Sequence, residues 1–395
     1  MHGAMPLITE PDELAAFCDR LAGEEFVTVD TEFVRESTYW PHLCLIQLAG
    51  ESEARVIDAI ALEDRLGPVF ALFDNPDILK VVHAGRQDVE IFLHLHDRVP
   101  TPLYDTQIAA MVCGLGDQVG YDTLVAKLTG ASVDKQARFA DWAHRPLNEQ
   151  QIEYARADVT HLRDAYRALR RQIAEAGREG WIAEEMQALA DPEVYRTDPE
   201  TAWRRIKVRT RNRRFLAVLK ETAATREHQA MQRDLPRNRV VRDESLLDIA
   251  GQLPRDAKAL ARIRGVNAKI ADGPIGEALL GAVERALALP KSDYPDLPRR
   301  QGRETPPPAT LEMLKLLLKL RAAEHGVAQR LIASSDDLAE LALDDAAEVE
   351  ALRGWRRQIF GEDALALKHG RIALSLNGTD IRVSRIDPEK ASDAA

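Results

Sequence analysis

The chain has 395 residues, 45% apolar and 30% charged, with a formal net charge of −11. That length exceeds one ordinary core and predicts two to three domains of a globular protein. Charges interrupt every apolar run short of a membrane span, no basic-then-apolar leader is visible, and Cys18, Cys44 and Cys113 are too few and too scattered for a disulfide framework or a zinc site. The expected setting is a reducing cytoplasm.

Residues 1–175 read as α/β. The segment 26–34 alternates and is rich in β-branched residues, which predicts a strand. Segments 43–48 and 54–58 predict two more, and the short Ala49-Gly50-Glu51-Ser52 spacer predicts an antiparallel meander. A helix is expected over 64–72, then a short buried strand over 80–83, a turn at Ala84-Gly85 and a helix over 86–95. A strand over 103–105 leads into a helix over 106–113, and a long helix over about 148–174 closes the unit. Strands alternating with helices in this second half imply parallel neighbours, hence a mixed sheet flanked by helices. From about residue 202 the pattern becomes helical. Pro290, Pro295, Pro298 and Pro306-Pro307-Pro308 mark a linker between two helical units, the second ending near residue 386. A faint internal echo joins the two units: Ser245–Ala250 before Arg264-Gly265, and Asp337–Ala342 before Arg353-Gly354.

Three segments carry acids that point to chemistry. Asp30 and Glu32 lie two apart in a strand, so they share a face opposite Val27, Val29 and Phe33. Two such acids repel, and bound cations offset that cost; oxygen-only ligands suit Mg²⁺ or Mn²⁺. Asp88 follows a buried strand near the start of a helix, where it also fits as a helix-terminus acid, as does Glu90. Tyr154 and Asp158, i and i+4 on the long helix, share a face. Separately, residues 201–242 hold 13 Lys and Arg against 3 Asp and Glu, leaving the rest of the chain at −21. A basic block in an acidic protein attracts phosphate locally. The competing reading is a solvated Arg-rich face.

The order Asp-x-Glu, then Asp, then Tyr-x-x-x-Asp resembles the DEDD exonuclease superfamily in its tyrosine-containing branch. Val29–Phe33, His83-Ala84-Gly85 with Asp88, Tyr104–Gln107, Asp141-Trp142 with Arg145-Pro146-Leu147, and Tyr154–Val159 read most like its bacterial ribonuclease D family. The two helical units resemble the HRDC module of that family. The resemblance implies an RNase H-like α/β exonuclease domain followed by two small all-α HRDC-like domains. The expected division is 1–200 exonuclease, 201–289 and 309–386 HRDC-like, a linker at 290–308 and a disordered tail at 387–395.

It also implies 3′→5′ hydrolytic trimming of RNA, including tRNA precursors and other small structured RNAs, by a monomer. Asp30, Glu32 and Asp158 would hold one of two divalent ions. Asp30 would bridge to the second, with Asp88 reaching it directly or through water, and Tyr154 would orient the water. Asp105 is expected to be structural or supporting. Lys135, Arg138 and Arg145 are candidate phosphate contacts on charge and position, with surface ion pairing the rival reading. Arg204, Arg205, Lys207, Arg209 and Arg211 are candidate RNA contacts in the basic block. Trp142 and Trp203 read as packing residues. The rival readings are a 3′→5′ DNA exonuclease with the same metal centre and an inactive nucleic-acid adaptor. The five retained site residues argue against the adaptor.

Overall fold

A computed structural model describes residues 7–134, 136–296 and 305–386. Lys135, the tail 387–395 and part of the 290–308 linker lie outside the described residues. Six strands form one sheet in the order β1-β4-β3-β2-β5-β6: Leu7–Ile8, Phe26–Val34, His42–Ala49, Ala54–Asp58, Leu79–Val82 and Leu103–Asp105 in chain order, β1 to β6. β2, β3 and β4 are the antiparallel meander. β5 and β6 lie parallel to β2, each reached through helical connections. The sheet is therefore mixed, as the alternation of strands and helices implies.

One sheet face, carrying Val27, Val29, Ile46 and Leu48, packs on Leu14, Phe17 and Phe92 from the helices Pro11–Leu21 and Arg86–His96. The other face is covered by the long helix Glu149–Glu175. That helix starts at a capping box, with Asn148 and Gln151 each bonding the other's backbone N–H. It buries Ile152, Ala155, Val159, Leu162, Tyr166, Leu169 and Ile173, alternating steps of three and four. Each large side chain so buried contributes roughly 1.5–3 kcal/mol. The helix expected over 64–72 starts later, at Gly67–Asp74, and a separate short helix, Ala59–Leu62, precedes it. Asp58 caps the short helix, the chain turns at Glu63 with φ +50, and Pro68 opens the longer one.

The first helical unit has its own core, in which Leu216, Leu219, Leu246, Ile249, Leu279 and Val283 meet. Tyr39 of the α/β unit inserts into it. The second unit is joined more deeply. Its Leu314, Leu317, Leu341 and Phe360 belong to one apolar cluster with Phe26, Tyr104 and Tyr166 of the α/β unit. Trp181 and Trp355 stack at 4.4 Å across that junction. Arg178 donates to Val112 O at 2.6 Å and to Gly326 O at 3.1 Å. The unit also carries a feature its helical periodicity did not mark: β7 (Ile372–Asn377) and β8 (Asp380–Arg385) form an antiparallel hairpin turning at Gly378, φ +66.

Candidate active site

β2 carries Asp30 and Glu32 on the face that meets the long helix. Thr28, on the same face, donates its hydroxyl to Val159 O at 2.8 Å and fastens helix to strand at the level of Asp158. β5 pairs only with Phe26–Thr28 of β2. Beyond Thr28 that edge of β2 is open, and the first turn of the helix Arg86–His96 brings Asp88 into the gap. The Thr31 hydroxyl donates to Asp88 Oδ1.

The turn that delivers Asp88 is tightly built. Ala84 sits at φ +52, and a Cβ on Gly85 would lie 2.5 Å from the Val82 side chain, so only glycine fits there. Asp105 holds the turn: its carboxylate accepts from Ala84 N and Gly85 N at 3.0 Å each and from Gln107 N at 2.8 Å. One residue thus caps the helix Thr106–Val112 and clamps the turn before Asp88. Glu90, two residues further along that helix, is held by Arg35 through two bonds of 3.0 and 3.1 Å.

Asp158 projects from the middle of the long helix, and Tyr154 leans its hydroxyl onto the Asp158 carboxylate from one turn earlier. Tyr154 is backed by Trp142, buried, with ring centroids 6.0 Å apart. The Tyr121 hydroxyl donates to the Asp158 backbone carbonyl, with His83 beside its ring at 5.5 Å.

Burial raises all four acids, and Asp88 and Asp158 raise Asp30 and Glu32 further. Burial pushes Asp30 well above the usual carboxylate range, and Asp88, Asp158 and Glu32 push it further. Burial, then Asp158 and Asp88, raise Glu32 to about 9. Burial raises Asp158 to about 7, against the pull of Tyr154, and Asp88 to about 6, against the pull of the Thr31 hydroxyl. Burial and the neighbouring acids also push the Tyr154 phenol above its ordinary value. Asp158 Oδ1 is buried without a hydrogen-bond partner. Among the described residues no three His, Cys, Asp or Glu side chains already close on a common point as metal ligands. The acids are electrostatic neighbours rather than a finished cage. Their hard oxygen donors, raised pKa values and one unpartnered buried oxygen fit a divalent cation, whose charge removes the mutual repulsion.

The structure brings Asp30, Glu32, Asp88, Tyr154 and Asp158 together and disperses the predicted basic contacts. Arg145 is a correction. All five of its donors are spent inside the protein: on both Asp58 oxygens at 2.7 Å, and on the carbonyls of Trp142, His144 and Cys44. It braces the loop before the long helix and has nothing left for a phosphate. Arg138 lies against the ring of Phe139, an exposed side chain in the same loop, and Lys135 is outside the described residues. Arg204, Arg205, Lys207, Arg209 and Arg211 are all exposed. Trp203 is buried in the first helical core. Sequence reasoning missed Thr31, Tyr121 and the Arg35–Glu90 pair. Only Thr31 had a visible signal, as the residue between the paired acids.

Fold and acid arrangement define the class. Residues 5–174 match the 3′-5′ exonuclease family, and residues 215–283 match the HRDC domain. The chain is 50% identical over 378 residues to ribonuclease D of Granulibacter bethesdensis, covering 95% of this chain and 96% of the relative. It is 52% identical over 377 residues to ribonuclease D of Acidiphilium cryptum, with the same coverage. Among solved structures it is similar to Escherichia coli RNase D, described as an exoribonuclease involved in structured RNA processing. That match has a TM-score of 0.76 and 31% identity, and covers 92% of this chain and 98% of the other. The chain belongs to the ribonuclease D family, and its activity class is 3′→5′ exoribonuclease.

Proposed function

We propose that the chain hydrolyses RNA 3′ ends to 5′-mononucleotides, with Asp30, Glu32, Asp88 and Asp158 holding two divalent cations, Mg²⁺ or Mn²⁺, and with Tyr154 orienting the attacking water. The observation that carries this reading is that four carboxylates from three separated segments meet at one place: Thr28 and Thr31 bond β2 to the helices that carry Asp158 and Asp88, and those two acids both raise Asp30 and Glu32. Divalent ions held by these carboxylates would supply activation of the attacking water and stabilisation of the charge on the leaving oxygen. The residues divide the remaining work. Asp158 offers its unpartnered Oδ1. Asp88 is oriented by the Thr31 hydroxyl, which donates to its Oδ1. The Tyr154 phenol, its pKa raised, keeps its proton and acts by orientation rather than as a base.

The substrates proposed are single-stranded 3′ extensions on structured RNAs, tRNA precursors among them, processed by a monomer in the cytoplasm. The likeness to an exoribonuclease of structured RNA supports RNA over DNA. Among the described residues no helix is long and apolar enough to cross a membrane. The test is digestion of 3′-extended tRNA with Mg²⁺ or Mn²⁺, beside a 3′-blocked copy, a matched single-stranded DNA and an Asp30→Asn variant. Metal-dependent release of 5′-mononucleotides from the free-ended RNA alone is expected. Cutting of the blocked RNA, or equal digestion of the DNA, contradicts it.

A further inference from the structure

A cleft with a volume of about 960 Å³ lies between the α/β unit and the first helical unit. One wall is the loop after β2, with Arg35 and Tyr39; the other is the first helical unit, with Arg226, Arg237, Arg242 and Arg264. Arg35 follows Glu32 by three residues and grips Glu90, two residues past Asp88, so the cleft opens beside the carboxylate site.

The two walls are pinned together. The Tyr39 hydroxyl donates to Glu227, which is buried in the first helical unit. Arg237 reaches the same carboxylate at 2.7 Å and lies 4.8 Å over the Tyr39 ring. Asp234 accepts the backbone N–H groups of Tyr39 and Trp40 at 2.9 Å each. Trp40 in turn stacks on His94 at 4.0 Å, on the helix that carries Asp88. The cleft is therefore built by the fold and anchored to the catalytic elements.

Its charges fall into two sets. Arg35, Arg237 and Arg226 are committed to Glu90, Glu227 and Asp243. Arg242 and Arg264 are exposed and, among the described residues, have no ion pair or side-chain hydrogen bond. The backbone beside Arg264 is fixed: its carbonyl accepts from Ser245 Oγ at 2.7 Å, and Gly265 turns the chain at φ +85. Among the described residues Glu244 is the one uncommitted acid in the lining, so the free groups leave the cleft net positive. A volume of this order suits a ligand of a few rings. That is room for a short single strand and too little for a duplex.

We infer that this cleft seats the phosphates of the single RNA strand just upstream of the 3′ terminus, with Arg242 and Arg264 as the phosphate contacts. The inference rests on the proposed function and adds a second binding locus to it. It moves the expected RNA contact from the exposed run 204–211 to two arginines that the sequence did not single out. Phosphate contacts of this kind give affinity and register without sequence choice.

The test compares the full chain with Arg242→Ala/Arg264→Ala and Arg242→Lys/Arg264→Lys doubles. Each acts on an unstructured RNA of about twenty nucleotides and on a dinucleotide too short to leave the catalytic pocket. The Ala double should raise KM for the long RNA about 10–100-fold at moderate salt and flatten its log KM against log salt by about 1.4, at ~0.7 per lost single-strand contact. Its kcat on the long RNA and its turnover of the dinucleotide should not change, and the Lys double should recover most of the KM. An unchanged KM and salt slope would overturn the inference. So would an equal loss on the dinucleotide, which would place the effect in the catalytic unit. Failure of the unmodified chain to cut either RNA would instead count against the proposed function.

Discussion

The Thr31 hydroxyl donates to Asp88 Oδ1, tying the residue between the two strand acids to the acid that arrives from the next helix. This bond joins two of the three segments, and the Thr28 hydroxyl on Val159 O joins the third. The Thr31 bond points one Asp88 oxygen at the strand. Thr31→Val keeps the shape and removes the donor. A hydrogen bond to a charged group contributes roughly 1.5–3 kcal/mol, and loss of a ligand's supporting partner typically costs about 10–100-fold in metal affinity. Calorimetric titration with Mn²⁺ should show that weakening in Thr31→Val and near-normal binding in Thr31→Ser.

Tyr154→Phe separates orientation from metal binding. The variant should lose activity by about 10²-fold, the low end for a positioned proton-handling group, while Mn²⁺ titrates as before. Full activity in this variant would take the phenol out of the mechanism.

Asp105→Ala tests the turn. Three backbone N–H groups lose their acceptor at once, two of them in the strained Ala84-Gly85 step. Each buried group left unsatisfied costs about 1–3 kcal/mol. A clear fall in the urea midpoint is expected, with loss of activity in whatever protein stays folded, since Asp88 depends on this turn.

Arg145→Ala should behave as a folding variant and not as an RNA-binding one. It strands Asp58, which is 2% exposed, and breaking such a buried pair costs about 3–5 kcal/mol. Stability should drop, while the salt slope of RNA binding by the folded fraction stays that of the unmodified protein.

The raised acids set a pH dependence for the metal-free protein. Asp and Glu titrate in the unfolded chain near 3.8 and 4.5, whereas folding raises Asp88 to about 6, Asp158 to about 7 and Glu32 to about 9. Between these values the native state binds more protons than the unfolded state, so stability falls as pH rises. In chelator, Tm should decline from pH 5 to about 9, and Mg²⁺ should reverse most of that decline at the alkaline end. Calorimetry across that range measures both.

Much of this site was legible because its elements obey simple periods. Period two in 26–34 placed Asp30 and Glu32 on one face, and i,i+4 spacing placed Tyr154 beside Asp158. The mixed sheet followed from short spacers in one half and helical crossovers in the other. Contacts set by tertiary packing were not legible. Arg145 read as a phosphate contact because its partner Asp58 is 87 residues away. Tyr121 had no local signal, since its bond is to a backbone carbonyl on another helix. The terminal hairpin did have one: Asn377-Gly378 after the alternating Ile372, Leu374 and Leu376 is a hairpin signature. It was overshadowed by the helical run before it.

The central claim is that Asp30, Glu32, Asp88 and Asp158 jointly hold the cations that do the chemistry. Direct counting of bound Mn²⁺ tests it most simply, with the unmodified chain compared to Asp30→Asn and each sample also assayed on 3′-labelled RNA. The account predicts two Mn²⁺ per unmodified chain, fewer in Asp30→Asn, and loss of nucleotide release with the lost ion. Undiminished Mn²⁺ binding in Asp30→Asn, or trimming that persists in chelator, would contradict it.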